Sequence, residues 1–373
     1  MAPIHIHEEL RPWIDLMLKR NASDLILTEG QPPVLRVVGD LVPIEGSFLT
    51  TDDIRVFAYG LLSEDQKKAF ERNWELDASF GLEGIARFRV NLFQQRGSMG
   101  MVLRMLSHKI PTLESLGVPK IVKEWLAVPH GLLITTGPTG SGKSTSQAAM
   151  IGFLNQRQRY HVVTIEDPIE YTHPHGTCTI EQRELGHDTK SFAEALKHVF
   201  RQSPDVIMVG EMRDPETFET ALELAETGHL VLATLHTGDA MQAISRIIDV
   251  FPENRHHQIR VQLSLTLIGI LVQQLVPRAD ATGRVLAVEV LQANAAVRNL
   301  IRKNDLQQIY SVIQTSSAEG MCTINSSLLQ LFKKGLISLE QAMLFTTRQK
   351  EFEQLVDRLP RTPDMRVRDV AKV

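Results

Sequence analysis

The sequence predicts an α/β protein: a mostly parallel sheet with helices on both faces, preceded by a small α+β domain and followed by helices. Three observations carry this. From residue 131 onward, short apolar runs alternate with amphipathic stretches, which is the signature of βα units. Before residue 107, hairpin-type turns and capped helices alternate without that rhythm. After residue 294, only helical periodicity remains.

The elements follow in order. Leu10–Lys19 has the spacing of an amphipathic helix, with Trp13, Ile14, Met17 and Leu18 on one side. Leu25–Leu27, Val34–Val38 and Leu41-Val42 read as strands joined by Gly30-Gln31-Pro32-Pro33 and Gly39-Asp40 turns, hence an antiparallel hairpin arrangement. Thr51–Leu61 and Ser63–Asn73 read as helices opened by Ser/Thr caps. A second sheet segment runs from Asp77 through Arg104, with alternation across Arg87–Phe93. Pro111, Gly117 and Pro119 mark Ser107–Lys120 as a linker and hinge. Leu132–Thr135, Val162–Ile165, Val206–Val209, Leu230–Leu235 and Val285–Val290 then read as strands; Lys143–Leu154, Ser191–Arg201 and Glu216–Ala225 read as helices between them. Val261–Val276 is interrupted by Gln262, Ser264, Thr266, Gln273 and Gln274, so it reads as a core or interface helix and not a membrane span. Ala295–Lys303, Leu306–Gln314, Ile324–Lys334, Ser338–Thr346 and Lys350–Arg358 complete the helices, and 360–373 is expected to be a disordered tail. The expected domains are 1–106, a linker at 107–120, a core at 121–294, a helical part at 295–359 and the tail.

Composition narrows the function. A net charge of −4 argues against bulk nucleic-acid binding. Two cysteines, Cys178 and Cys322, far apart in sequence, make neither a disulfide framework nor a four-cysteine metal site, and fit a reducing compartment. The start, Met1–His5, has no basic and apolar signal-peptide regions. The expectation is a cytoplasmic protein with no membrane span of its own.

One stretch carries the chemistry. Gly137-Pro138-Thr139-Gly140-Ser141-Gly142-Lys143-Ser144-Thr145 fits G-x-x-x-x-G-K-[ST] and lies between a strand and a helix. Its glycines let backbone N–H groups approach phosphate oxygens, and the following helix offers free N–H donors and the positive end of a dipole. Lys143 is placed to reach the β- and γ-phosphates and Ser144 to ligate Mg²⁺, so a nucleoside triphosphate with Mg²⁺ is the expected ligand.

Two further strands end in acids: Val206–Val209 runs into Gly210-Glu211, and Val162–Ile165 into Glu166-Asp167. One of Glu166 and Glu211 is expected to hold the Mg²⁺ shell, directly or through water, and the other to position or deprotonate the attacking water; the sequence leaves the assignment open. His229 and His236 bracket the strand 230–235, roughly 23 Å apart in a regular strand, so they cannot share a metal. His236 lies at the end where the nucleotide is expected and suits a γ-phosphate sensor, while His229 lies at the other end. Arg87, Arg89, Arg96 and Arg104 sit on strand-like segments; no in-cis arginine is obvious, which raises interest in Arg89 and Arg104 as groups lent to a neighbouring subunit.

Taken together, Gly137–Thr145, Thr164–Tyr171, Val209–Asp214, Ala225–Leu230 and Thr234–Thr237 resemble the Walker A, Asp box, Walker B and His box of the type II/IV secretion ATPases. Gly30–Pro33, Ala86–Asn91 and Ala296-Val297-Arg298-Asn299-Leu300-Ile301 narrow the resemblance to the PilT-type retraction ATPases of type IV pili. It spans about residues 10–350. Gln147 departs from it, standing where an apolar residue is common. The resemblance implies a PAS-like N-terminal domain, a RecA-like core, and a homo-hexameric ring hydrolysing ATP between subunits. It implies that Arg89 and Arg104 act in trans and that Ala296–Ile301 serves retraction rather than hydrolysis. It also implies work at the inner-membrane base of a pilus machine, with the platform protein and a paralogous retraction ATPase as partners. A PilU-like accessory enzyme and a nucleotide-gated scaffold without turnover are the alternative readings. The extension ATPases resemble longer chains with a four-cysteine zinc site, which two cysteines cannot make.

Overall fold

The computed structural model describes residues 6–20, 22–37, 40–46, 48–82, 86–106 and 110–359. Gly39 of the expected turn, residues 107–109 of the expected linker and the expected tail 360–373 lie outside the described residues. The chain divides into two units, Met1–Lys109 with Glu170–Thr172, and Ile110–Ile169 with His173–Val373.

The first unit runs α1 (Leu10–Lys19), β1 (Asp24–Leu27), β2 (Val34–Val37), β3 (Asp40–Pro43), α2 (Thr51–Leu61), α3 (Glu64–Asn73), β4 (Glu75–Leu82), β5 (Ala86–Gln95) and β6 (Ser98–Leu106). Thr50 with Asp53 and Ser63 with Gln66 form reciprocal capping boxes, which fix where α2 and α3 begin. The strands make one antiparallel sheet in the order β3-β2-β1-β6-β5-β4, so the segment read as a second sheet joins the hairpin through β1 and β6. Period-two alternation divides its faces. Leu35, Leu25, Leu103, Val90 and Ala78 lie side by side across the strands and are buried with Leu10, Ile14 and Met17 of α1 and Ile54 and Phe57 of α2.

The second unit opens with α4 (Ile121–Trp125) and then builds β7 (Gly131–Thr136), α5 (Lys143–Asn155), β8 (His161–Glu166), β9 (Thr179–Glu184), α6 (Phe192–Val199), β10 (Val206–Val209), α7 (Pro215–Glu226), β11 (Leu230–Leu235), α8 (Ala240–Asp249), α9 (His256–Thr266), β12 (Leu267–Pro277) and β13 (Arg284–Gln292). Helices α10 (Ala295–Lys303), α11 (Ile309–Thr315), α12 (Ile324–Lys333), α13 (Leu339–Phe345) and α14 (Gln349–Asp357) follow. The seven-stranded sheet has the order β13-β12-β7-β11-β10-β8-β9 and is parallel apart from the antiparallel β13. Alternate residues of the central strands feed two cores. Ile134, Ile165, Val209 and Ala233 face α6 to α10, while Leu133, Val162, Met208 and Leu232 face α5 and the Leu113–Leu126 region. Helices α12 to α14 pack against Val276 and Ala287 at the far edge.

The largest departure from the sequence reading is at Val261–Val276, which is not one helix. Helix α9 ends at Thr266 and β12 begins at Leu267. The apolar run Leu267–Val272 gains a ladder beside β7, interrupted by one register shift between Leu267 and Gly269, and that long-range pairing overrides helical periodicity. Strand β9 escaped the sequence reading because it is a polar edge strand with only Ile180 and Glu184 buried. Among the described residues no helix is long and apolar enough to cross a membrane.

Two consequences can be measured. A Cβ at Gly269, on the β12 ladder, would meet the buried Trp125 ring at 2.5 Å. Gly269→Ala is therefore expected to destabilise the second unit by about 1–3 kcal/mol, seen as a lower thermal midpoint; an unchanged midpoint would show that Trp125 is free to move. His173 is 8% exposed, its Nδ1 has no hydrogen-bond partner, and burial pushes its pKa down to about 4. Its folded pKa lies below the unfolded value, so its contribution to stability is present above pH ~6.5 and is lost as pH falls through ~4, with a magnitude on the order of 3 kcal/mol. His173→Phe is expected to flatten the acid limb of a denaturant-unfolding profile over that window.

Candidate active site

The parallel strands carry their chemistry at one end. Strand β7 leads into the glycine loop, β8 ends at Glu166, β10 runs into Gly210-Glu211 and β11 into His236. The C-terminal ends of a parallel sheet are where its loops open into a ligand crevice.

The loop is held by close approach. Gly137 has φ +148°, and a Cβ there would meet Gln273 O of β12 at 2.3 Å, so only glycine lets the chain turn against that strand. Gly142, at φ +88°, is the N-cap of α5, and Ser146 N bonds back to its carbonyl. One turn further along α5, Gln273 Nε2 donates to Ser146 Oγ at 2.6 Å. Gln147, the departure noted in the sequence, is buried on the same helix and its Nε2 has no partner.

Lys143 is only 8% exposed. Its Nζ donates to Gly137 O at 2.8 Å and Pro138 O at 3.1 Å and lies 3.4 Å from His236 Nδ1. A lysine has no acceptor, so Nδ1 must accept, which puts the imidazole proton on Nε2. That Nε2 faces Glu211 Oε2 at 3.6 Å, and Arg213 Nε holds the other carboxylate oxygen at 2.7 Å. Burial and the Lys143 charge push the His236 pKa down while Glu211 opposes them, so the ring is neutral at pH 7. His236 thus bridges the loop lysine and the β10 acid as a neutral relay.

Glu166 is buried and accepts from Thr164 Oγ1 at 2.6 Å and Gln182 Nε2 at 3.0 Å. Gly210 explains why no side chain precedes Glu211: a Cβ there would lie 3.2 Å from Glu166 Cα and from Ile165 O. The two acids therefore sit on strands packed backbone to backbone.

Several contributors were silent in the sequence. Gln182 lies on the unrecognised β9, and its Oε1 accepts His173 N at 2.8 Å while its amide holds Glu166. Thr136 Oγ1 accepts Thr237 N at 2.9 Å and so ties the end of β7 to the segment after His236. Glu289, buried on β13, accepts Ala240 N at 3.0 Å at the start of α8, and burial pushes its pKa up to about 7. No spacing rule links residues so far apart in sequence.

The remaining expected residues lie elsewhere. His229 is at the opposite end of β11, with Nδ1 3.0 Å from Leu224 O and its ring edge-on to Phe200. Arg298, on α10, donates to the carbonyls of Ser264, Leu265 and Leu267, satisfying the C-terminal end of α9 where it gives way to β12. In the first unit, Arg36, Asp24, Arg104, Arg89 and Ser79 lie in register across five strands on the face opposite its core. Buried Asp24 accepts from Arg104 at 2.8 Å and faces Arg36 at 3.6 Å, while Arg89 faces Asp77 at 3.5 Å. Three arginines are thereby balanced by two carboxylates. Among the described residues no cluster of His, Cys, Asp and Glu is built to hold a metal alone.

The donor set fits a triphosphate: a loop built on left-handed glycines, a buried lysine, and a buried Ser141 Oγ with no partner. Mg²⁺, were it bound beside the phosphates, would be held by Ser144 and one of the strand-end acids, Glu211 or Glu166.

Residues 75–344 match the model of the family described as "Type II/IV secretion system protein". The chain is 45% identical over 324 residues to the type IV pilus retraction ATPase PilT of Pseudomonas aeruginosa, covering 87% of this chain and 94% of that protein. It is 44% identical over 335 residues to the type IV pilus ATPase PilU of the same organism, covering 90% and 88%. A crystal structure of the pilus retraction motor PilT with bound ADP superposes with a TM-score of 0.86 at 48% identity, over 92% of this chain and 98% of that one. The likeness bears out a RecA-like ATPase core with an N-terminal β-rich domain and C-terminal helices.

Replacing Gln182 by Leu is expected to lower ATP turnover about ten-fold with a smaller change in KM, since it loosens Glu166 without touching the loop. Steady-state kinetics decide this; a loss confined to KM would assign Glu166 to binding instead.

Proposed function

The chain belongs to the type II/IV secretion system protein family, and from that premise we propose that it is the ATP-hydrolysing motor of type IV pilus retraction. The observation that carries the proposal is the chain of contacts Lys143–His236–Glu211 at the mouth of a complete glycine loop, in a protein alike in sequence and fold to a retraction motor that binds ADP.

The loop N–H groups and Lys143 bind the phosphates. Ser144 and Glu211 would hold Mg²⁺, which would supply neutralisation of the phosphate charge. Glu166 or Glu211 orients and deprotonates the attacking water. His236, neutral, in contact with Lys143 and facing Glu211, reports whether a γ-phosphate lies between them.

Arginine is supplied by a neighbouring subunit of a homo-hexameric ring. Arg89 and Arg104 are the candidates, and both are engaged with carboxylates, so delivery to a phosphate exchanges Asp77 or Asp24 for the nucleotide. That exchange favours the closed interface only while the triphosphate is present, which makes hydrolysis the release step. Successive closures would drive the platform protein at the inner-membrane base of the pilus, with Ala296–Ile301 serving that output.

A second reading, an accessory retraction ATPase, is favoured by the match to PilU running over 335 residues. The two differ in whether the chain alone suffices for retraction.

Phosphate release and solution mass of the purified chain test the motor. Wild type is expected to hydrolyse ATP as a hexamer. Lys143→Ala is expected to lose turnover by about 100-fold or more, and Arg89→Ala or Arg104→Ala by a similar factor with mass and ADP binding kept. An inactive wild type that still binds ATP would make the chain a nucleotide-gated scaffold. Cells lacking the chain are expected to keep surface pili and lose twitching; loss of the pili themselves would assign it to extension.

A further inference from the structure

We propose that Glu289 is a positioning residue of the ATPase site: its carboxylate pins the first N–H of α8 and of α12 and thereby fixes the segment His236–Ala240, which carries the γ-phosphate sensor. The role rests on the ATPase reading above.

Register places Glu289 behind that segment. Glu289 pairs with Val272 across β13 and β12, Val272 with Thr136 across β12 and β7, and Thr136 with Leu235 across β7 and β11. Residues in register on one sheet share a face. Leu235 and Val272 pack there with Ala240, Ala243 and Ile244 of α8, so Glu289 and Thr136 point to the same helix. His236 follows Leu235 directly, and α8 opens at Ala240. The stretch between strand and helix is therefore tied twice. Thr136 Oγ1 accepts Thr237 N at 2.9 Å near one end, and Glu289 Oε1 accepts Ala240 N at 3.0 Å at the other.

The second tie completes two helix caps. First-turn N–H groups of a helix lack intrahelical acceptors. In α8 the Asp239 carboxylate accepts Gln242 N at 2.7 Å, and in α12 Thr323 Oγ1 accepts Ser326 N at 3.1 Å. The Ala240 and Ile324 N–H groups, first in each helix, donate to Glu289. One carboxylate thus joins the helix behind the sensor to the helix that packs on β13.

Two helix N-termini favour an anion at this position. The surroundings oppose it, because Glu289 is only 3% exposed. Among the described residues, the charged and titratable groups that face it are Asp239 at the start of α8, Arg348 before α14 and the Cys322 thiol before α12, while β12 presents apolar Val272. Burial, with Asp239, pushes its pKa up to about 7 against the two N–H groups and Arg348. Its folded pKa lies above the unfolded value, so its contribution to stability is full below pH ~4.3 and is lost as pH rises through about 7. Above pH 7 the charge weakens the fold. Yet the anion is the form that accepts both N–H groups, since a neutral carboxyl offers a donor in place of one acceptor. The charge therefore serves the placing of His236 and not the stability of the sheet.

Turnover by the full chain across neutral pH tests this. Wild-type kcat is expected to fall as pH drops through about 7. Glu289→Gln keeps an acceptor without the charge. Its kcat at pH 8 is expected to be about ten-fold lower, with the limb near pH 7 absent and the Kd for ADP within about two-fold of wild type. Ala240→Pro removes the same bond from the donor side, at a first helical position where proline is tolerated after the extended Asp239. It is expected to lower kcat by a similar factor, and the double variant to be no slower than the slower single one. Where the thermal midpoint shows that Glu289→Gln does not fold, Ala240→Pro is read alone. Wild-type kcat with an unchanged pH limb in Glu289→Gln, a loss confined to ADP affinity, or full additivity of the two changes would overturn the role of Glu289 and leave the ATPase reading standing. If wild type binds nucleotide without turnover, the ATPase reading fails, and the affinity ratio of a non-hydrolysable ATP analogue over ADP decides Glu289. Glu289→Gln is then expected to narrow that ratio about five-fold, because only the γ-phosphate reaches His236; an unchanged ratio would overturn the role.

Discussion

Strand β7 is the constraint on which the rest of the second unit depends. It pairs with β11 from Gly131 to Thr136 on one side and with β12 on the other, and every residue of it is buried. A strand enclosed on both edges and both faces cannot shift register without exposing its apolar set. The glycine loop starts where this strand stops, and its first glycine is pressed against Gln273 of β12. Phosphate-binding geometry is thus inherited from a rigid sheet instead of being assembled by a mobile loop, as preorganised sites require.

The neighbouring strands add reactive groups at increasing distance from β7. His236 comes after β11, the adjacent strand, and Glu211 after β10, the next one out, with Glu166 on β8 beyond it. The His236 ring spans the interval between Lys143 and Glu211, which is the interval a terminal phosphate must enter. Behind these groups, small polar bonds hold the strand ends together: Thr136 to Thr237, Thr234 Oγ1 to Gly210 O, and Gln182 to Glu166. Each joins neighbouring strands or strand ends on the side of the sheet where the glycine loop lies.

The first unit solves a different problem with the same sheet logic. One face is its core; the other gathers Arg36, Asp24, Arg104 and Arg89 into one cross-strand row. Adjacent like charges would repel. Buried Asp24, held also by Ser23 Oγ at 2.7 Å, keeps the row tolerable. An arginine held this way is preorganised yet releasable, because Arg104 remains largely exposed while its partner does not.

Local structure and the chemical groups were legible in short windows of the sequence. The glycine loop, the acids at strand ends, the capping residues of α2 and α3, and the alternation that divides the sheet faces are all short-range signals, written within a few residues of where they act. Strand β12 reads as helix in the sequence because its identity comes from pairing with β7, more than a hundred residues earlier, and not from its own period. Strand β9 carries no apolar signal, because an edge strand need not be apolar. The partners of Glu166, the link from Glu289 to Ala240 and the arginine row arise only when distant segments are brought within hydrogen-bond reach. Tertiary structure decided these, because a hydrogen bond or an ion pair depends on separation in space, and separation along the chain carries almost no information about it.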